Sequence, residues 1–158
     1  MRLQDELAAS LTDRALTLAI AESCTGGALS HVITDMPGAS AYFIGGIIAY
    51  HNRIKHALLG VPVETLDRYG AVSRQTAMAM AEGCRERLES DVAVSITGIA
   101  GPSGGTPDKP VGLVYVGAST HKATWAVEHR FAGDRSDVRR QAVSAALEMA
   151  LHATSELD

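Results

Sequence analysis

Alanine and glycine supply a quarter of this 158-residue chain, 25 and 15 residues, against only seven aromatic residues. Side chains this small let helices and strands approach closely, and glycine leaves backbone exposed where it interrupts an element. The apolar segments between these small residues alternate in type. Leu3, Leu7 and Leu11 predict a helix over 3–14, followed by a buried strand over 16–21 that ends at Glu22. A turn over 22–27 leads into a helix over 28–34, which Met36-Pro37-Gly38 stops. A strand over 44–50 and short helices over 52–58 and 63–69 come next. Ser73 is the expected N-cap of a longer helix with Thr76, Met80, Cys84 and Leu88 on one stripe. Then come a buried strand over 91–97, a Gly/Pro loop over 98–110, two strands over 111–119 and 124–131 forming a hairpin, and a last helix over 135–154. Asp134 is its expected cap, with Val138, Ala142, Ala145 and Met149 facing inward. The alternation predicts one α/β domain over 1–158, a three-layer α/β/α arrangement with a mixed, mostly parallel central sheet.

Composition excludes several classes. The net charge of −4 argues against a nucleic-acid binder held by phosphate neutralisation. Cys24 and Cys84 are too few for a disulfide framework or a zinc site. No run of about 20 apolar residues exists to span a membrane. The acidic N-terminal stretch has no apolar core of a secretory signal, so a cytoplasmic protein is expected. None of the six histidines stands at a metal-ligand spacing from another His or Cys.

Candidate chemistry gathers where loops follow strands, the place ligands take in open α/β sheets. In Glu22-Ser23-Cys24-Thr25-Gly26-Gly27 a strand runs through two nucleophile-capable residues into a helix start, whose amides can hold an oxyanion or phosphate. The same pattern fits a Ser/Thr cap before permissive glycines. Cys24 competes with Ser23, because a thiol at a helix N-terminus has a lowered pKa; a small buried cysteine is its other reading.

Tyr50-His51-Asn52-Arg53-Ile54-Lys55 places a lysine one turn beyond a strand. Lys55 becomes a general base only if burial or a nearby cation such as Arg53 lowers its pKa; otherwise it is a solvated lysine. His51 or His56 could instead pair with Ser23. The loop from Thr97 and Gly98 through Gly101, Gly104 and Gly105 suits close approach to an anion or simple flexibility. It matches neither G-x-G-x-x-G nor G-x-x-x-x-G-K-[ST]. Arg135, Arg139 and Arg140 sit in the first turns of a helix, where the macrodipole disfavours cations. They read either as salt-bridged by Asp134 and Asp137 or as a carboxylate- or phosphate-binding fork.

Six segments in this order, AESCTGG at 21–27, GGIIAYHNRIK at 45–55, YGAVS at 69–73, SITGIAGPSGG at 95–105, KPVGLVYV at 109–116 and FAGDRSDVRRQA at 131–142, resemble the C-terminal domain of the competence/damage-inducible CinA family. That group includes the stand-alone nicotinamide mononucleotide deamidases called PncC. The segments carry no molybdopterin-binding-like domain, so the resemblance is to the free-standing form. It implies a metal-free, cofactor-free Ser/Lys amidohydrolase that converts nicotinamide mononucleotide and water to nicotinate mononucleotide and ammonia in NAD recycling. It further implies Ser23 as nucleophile, Lys55 as base and Tyr50 in assistance, with Ser40, Thr97 and Arg135 as auxiliary or substrate-positioning residues. His51 stands where such proteins lead one to expect a small polar residue.

Backbone amides from Cys24 to Gly27 are candidate oxyanion donors. Thr25, Gly26, Gly27, Gly98, Gly101, Gly104, Gly105 and Arg139 complete the expected substrate contacts, with Tyr42 and Tyr50 as the chief stacking partners for a ring. Self-association as a homodimer or larger is also expected. The competing readings are a non-catalytic nucleotide- or partner-binding module and an amidase for a related small amide.

Overall fold

The structure, a computed structural model, describes residues 1–157. Five strands form one mixed sheet: β1 (Leu18–Glu22), β2 (Phe43–Ile48), β3 (Val92–Gly98), β4 (Leu113–Ser119) and β5 (Thr124–Arg130), in the order β2-β1-β3-β4-β5. β1 pairs in parallel with β2 and β3, and β4 pairs antiparallel with β3 and β5. Only β4 therefore runs against the others. The sheet is as parallel in strand direction as expected, but half its pairings are antiparallel. Six α-helices flank it: α1 (Leu3–Asp13), α2 (Ala28–Thr34), α3 (Asn52–Leu59), α4 (Val63–Tyr69), α5 (Arg74–Leu88) and α6 (Arg135–Ser155). A short 3-10 turn at Ala39–Ala41 is an addition to the expected elements.

The two faces of the sheet carry different side chains. Leu18, Ile20, Val92, Val94, Ile96, Val114 and Val116 form the larger core with α1, α2 and α6. The opposite face presents Ala19, Ala21 and Ala93 to Met80 and Cys84 of α5 and to Leu59 at the end of α3. Alternation along each strand sends successive residues to opposite sides, so one face is bulky and the other nearly bare. On the bare face α5 lies so close that the Ser95 hydroxyl donates to the Ala77 carbonyl at 2.6 Å. A Cβ on Gly117 would come within 2.5 Å of that same oxygen. The alanine and glycine excess thus seats one helix layer against the sheet.

Gly83 of α5 makes the strongest case. A Cβ there would stand 1.7 Å from the Leu59 carbonyl oxygen, a backbone atom that cannot rotate away. Helix propensity alone favours Ala over Gly by ~1 kcal/mol. The clash reverses the sign, and Gly83→Ala is expected to cost about 3 kcal/mol. Thermal unfolding should show a fall in Tm of roughly 10 °C; an unchanged Tm would show that α3 and α5 separate freely.

The caps hold as the spacing predicts. The Ser73 hydroxyl accepts from the Thr76 amide at 3.1 Å. Asp134 and Asp137 form a reciprocal capping box at the start of α6. No helix of the described residues is long and apolar enough to cross a membrane. Because β1, β2, β3 and β5 run the same way, the residues that follow all four meet at one end of the sheet.

Candidate active site

At that end, Ser23 follows β1, Tyr50 follows β2 and Thr97 and Gly98 close β3. They border a cavity of about 290 Å³ together with Lys55, Ala71, Val72, Ile99, Gly101, Ser103, Gly104 and Arg135. Lys55 is brought there by α3, whose first turn is capped by the His51 side chain accepting from the Arg53 amide at 3.0 Å. Lys55 is 1% exposed. Its Nζ donates to Ser23 Oγ at 2.9 Å, to the Ala49 carbonyl at 2.8 Å and to the Tyr50 carbonyl at 3.0 Å. Three acceptors fix the nitrogen against the hydroxyl. Burial lowers its pKa from 10.5 to about 8, opposed by the neighbouring Cys24. Arg53, the cation the sequence suggested for this task, is exposed; burial supplies the shift instead.

Burial acts oppositely on Cys24, pushing its thiol up to about 11. Of the two sequence readings of Cys24, the small buried cysteine holds and the lowered thiol pKa does not: the thiol stays protonated near neutrality, and it is Ser23 that touches Lys55 Nζ. Neither histidine competes. His51 is spent on the α3 cap, and His56 Nδ1 lies 2.8 Å from the Val61 carbonyl.

The turn after β1 spends most of its amides within the fold. Gly26 N–H donates to the Ser23 carbonyl and Gly27 N–H to Glu22 Oε1. The Thr25 hydroxyl donates to Glu22 at 2.6 Å, and Thr25 is fully buried. Thr25, Gly26 and Gly27 therefore shape the turn and do not border the cavity, against the expectation that they contact substrate. The amides of Cys24 and Thr25 donate to no acceptor among the described residues. In the loop after β3, those of Ala100, Gly101, Ser103, Gly104 and Gly105 are likewise uncommitted.

The arginines of α6 divide. Arg135 borders the cavity and donates to the Gly101 carbonyl at 2.8 Å. Arg139 clamps the turn from the other side, Nε to the Cys24 carbonyl at 3.1 Å and Nη2 to the Thr25 carbonyl at 3.0 Å. Its Nε and Nη2 thus hold backbone carbonyls. Gly105 lies just outside the lining, packed on Val111.

Ser40 and Tyr42 are not brought to this cavity. They precede β2, and the Tyr42 carbonyl accepts from the Leu18 amide at the start of β1, the far end of the sheet from Ser23. Tyr42 is also buried in the core. Of the two tyrosines expected to stack on a ring, only Tyr50 borders the cavity, and it is 62% exposed at the rim. The sequence reading assigned no role to Ala71, Val72 or Ile99, which line an apolar wall, nor to the Glu22 carboxylate. The Thr97 hydroxyl, donating to the Ala71 carbonyl at 2.7 Å, ties that wall to β3. Among the described residues no three His, Cys, Asp or Glu side chains cluster to hold a metal.

The sequence model of the CinA C-terminal domain matches residues 1–154. The chain belongs to the CinA C-terminal domain family. A CinA-like protein of Desulfotalea psychrophila is 48% identical over 140 residues, 89% of this chain and 34% of that protein. Another, from Thermotoga neapolitana, is 46% identical over 147 residues, 93% and 36% of the two chains. The chain thus spans about a third of the length of the curated relatives it matches. Among solved structures, competence damage-inducible protein A (ComA) of Klebsiella pneumoniae superposes with a TM-score of 0.94 at 31% identity, covering 99% of this chain and 97% of that one. The competence/damage inducible protein CihA of Agrobacterium tumefaciens gives 0.92 at 38%, covering 96% and 94%. These two structures share the fold over 96% or more of this chain.

Proposed function

We propose that this protein is a nicotinamide mononucleotide deamidase of the Ser/Lys type, acting in cytoplasmic NAD recycling. The observation that carries the reading is the 2.9 Å contact between Ser23 Oγ and a buried Lys55 whose pKa lies near 8. A neutral lysine at that distance takes the hydroxyl proton as the oxygen attacks the carboxamide carbon. The resulting ammonium returns the proton to the departing nitrogen, so that ammonia leaves and an acyl-Ser23 ester remains. Water, deprotonated by the same lysine, attacks the ester; nicotinate mononucleotide and free Ser23 result.

The rest of the cavity suits a small anionic substrate. The free amide of Cys24, which borders the cavity beside the nucleophile, can meet the tetrahedral oxyanion. The uncommitted amides at Gly101, Ser103 and Gly104, with Arg135, suit a phosphate. At about 290 Å³ the cavity stands at the small end of ligand sites, roughly 300–1,000 Å³, and suits a mononucleotide better than a dinucleotide. Purified protein should release ammonia from nicotinamide mononucleotide without added metal. Tight binding of the nucleotide with no ammonia would favour a binding module, and release from other small amides alone would move the reading to a different amidase.

Cys24→Ala is expected to keep at least about half of the wild-type kcat, since a thiol held protonated to about 11 takes no part as nucleophile. A dead Cys24→Ala beside an active Ser23→Ala would reverse the assignment. We also propose that the protein self-associates through the free edge of β2, where Ile44 and Ile48 are 49% and 54% exposed on a strand paired on one side only. Light scattering at micromolar concentration should give at least twice the chain mass.

A further inference from the structure

Glu22 is the last residue of β1, bonded directly to Ser23, and is 1% exposed. Its carboxylate accepts five hydrogen bonds. Oε1 takes the Thr25 hydroxyl at 2.6 Å and the amides of Gly27 and Leu29 at 3.2 and 3.0 Å. Oε2 takes the amide and hydroxyl of Ser30 at 3.0 and 2.6 Å. Every partner is a donor, the set that suits an acceptor-only carboxylate. α2 has no side-chain cap of its own, because Gly27 occupies the N-cap position. The carboxylate from the preceding strand supplies the cap across the turn.

This arrangement bears on the reaction as well as on the helix. The amides of Gly27, Leu29 and Ser30 are consumed by Glu22, and that of Gly26 by the Ser23 carbonyl. The Cys24 amide, next to the nucleophile and at the cavity, stays uncommitted. On the carbonyl side Cys24 and Thr25 are held by Arg139. The turn is thus gripped by an anion through its donors and by a cation through its acceptors. A buried carboxylate with five charge-assisted partners is costly to displace, and its backbone is continuous with the nucleophile's.

We propose that Glu22 is a positioning residue for catalysis: its carboxylate sets the turn so that Ser23 Oγ meets Lys55 while the neighbouring Cys24 amide remains open to an oxyanion. The inference rests on Ser23 being the nucleophile of the proposed reaction. The test compares wild type with Glu22→Gln, which keeps the shape but turns an acceptor into a donor facing donors. Thr25→Val and Ser30→Ala each remove one short hydroxyl bond and serve if Glu22→Gln does not fold. Three quantities are read per folded molecule: labelling of Ser23 by a small fluorophosphonate, whose phosphorus bonds to Oγ as fluoride leaves; kcat and KM for nicotinamide mononucleotide; and the pH profile of labelling.

Glu22→Gln should lower the labelling rate and kcat by roughly 100-fold, the scale of a 1 Å misplacement, with KM within about threefold. The hydroxyl variants should fall in the same direction by less. The pH midpoint should stay at its wild-type value, because no group around Lys55 Nζ has changed. A purely structural role predicts a lower unfolding midpoint with wild-type labelling of every folded molecule, and that result overturns the proposal. Wild type that is labelled but leaves the nucleotide intact removes the substrate reading and leaves the Glu22 comparison standing on labelling alone. Failure of wild type to label at Ser23 overturns both.

Discussion

Ser23→Ala is expected to abolish amide hydrolysis, lowering kcat by about 10⁴-fold or more, while the protein stays folded. Both halves follow from the contacts of Lys55. Among the described residues Ser23 Oγ is the only side-chain hydroxyl that the buried Nζ meets, so its loss leaves Lys55 with no hydroxyl to activate. The Nζ nevertheless keeps the Ala49 and Tyr50 carbonyls as acceptors. It is not stranded without partners, the circumstance that makes deletion of a buried polar contact severely destabilising. Ammonia release and the near-UV circular dichroism of the same sample check the two halves together. More than about 1% residual turnover with a native spectrum would remove Ser23 from the nucleophile's role.

Periodicity found the elements because the local signals agreed. The expected helix over 28–34 coincides with α2, and the hydroxyl of Ser73 and the carboxylate of Asp134 cap the helices they precede. The Ala39–Ala41 turn escaped because three residues carry no period. The two-faced sheet was only half legible. Ala19, Ala21 and Ala93 read as small, but their shared face depends on the pairing of β1 with β3, separated by some seventy residues of sequence.

The site was legible as four loops but not as one cavity. Ser23, Lys55, Thr97 and Arg135 meet because parallel strands end together, and strand order is a long-range property. Residues read by type alone fared differently. Thr25, Gly27 and Arg139 look like ligand-binding groups in isolation, yet their partners are Glu22 and the carbonyls of Cys24 and Thr25. Glu22 left a usable trace: an acidic strand end, threonine three residues on and serine in the first turn of the next helix form an extended capping pattern.

Lys55 makes the second large prediction, a rate that climbs with pH. With its pKa near 8, only about a tenth of the lysine is neutral at pH 7. The rate should rise about tenfold from pH 7 to a plateau above pH 9, with its midpoint near 8. Lys55→Arg should be inactive at every pH, because a guanidinium does not deprotonate. Stability carries the same signature. The unfolded chain holds this proton up to about 10.5, whereas the folded chain releases it near 8. Between those values the unfolded state binds more protons, so stability rises with pH across that window, and below about 8 the cost of burying the ammonium is fully present. Relative to Lys55→Met, which has no such proton, wild type should gain about 3 kcal/mol between pH 8 and 10.5. Denaturant titrations at the two pH values measure it. A flat difference joined to a rate midpoint above 10 would mean that Lys55 is solvated rather than buried, and the Ser/Lys chemistry would lose its base.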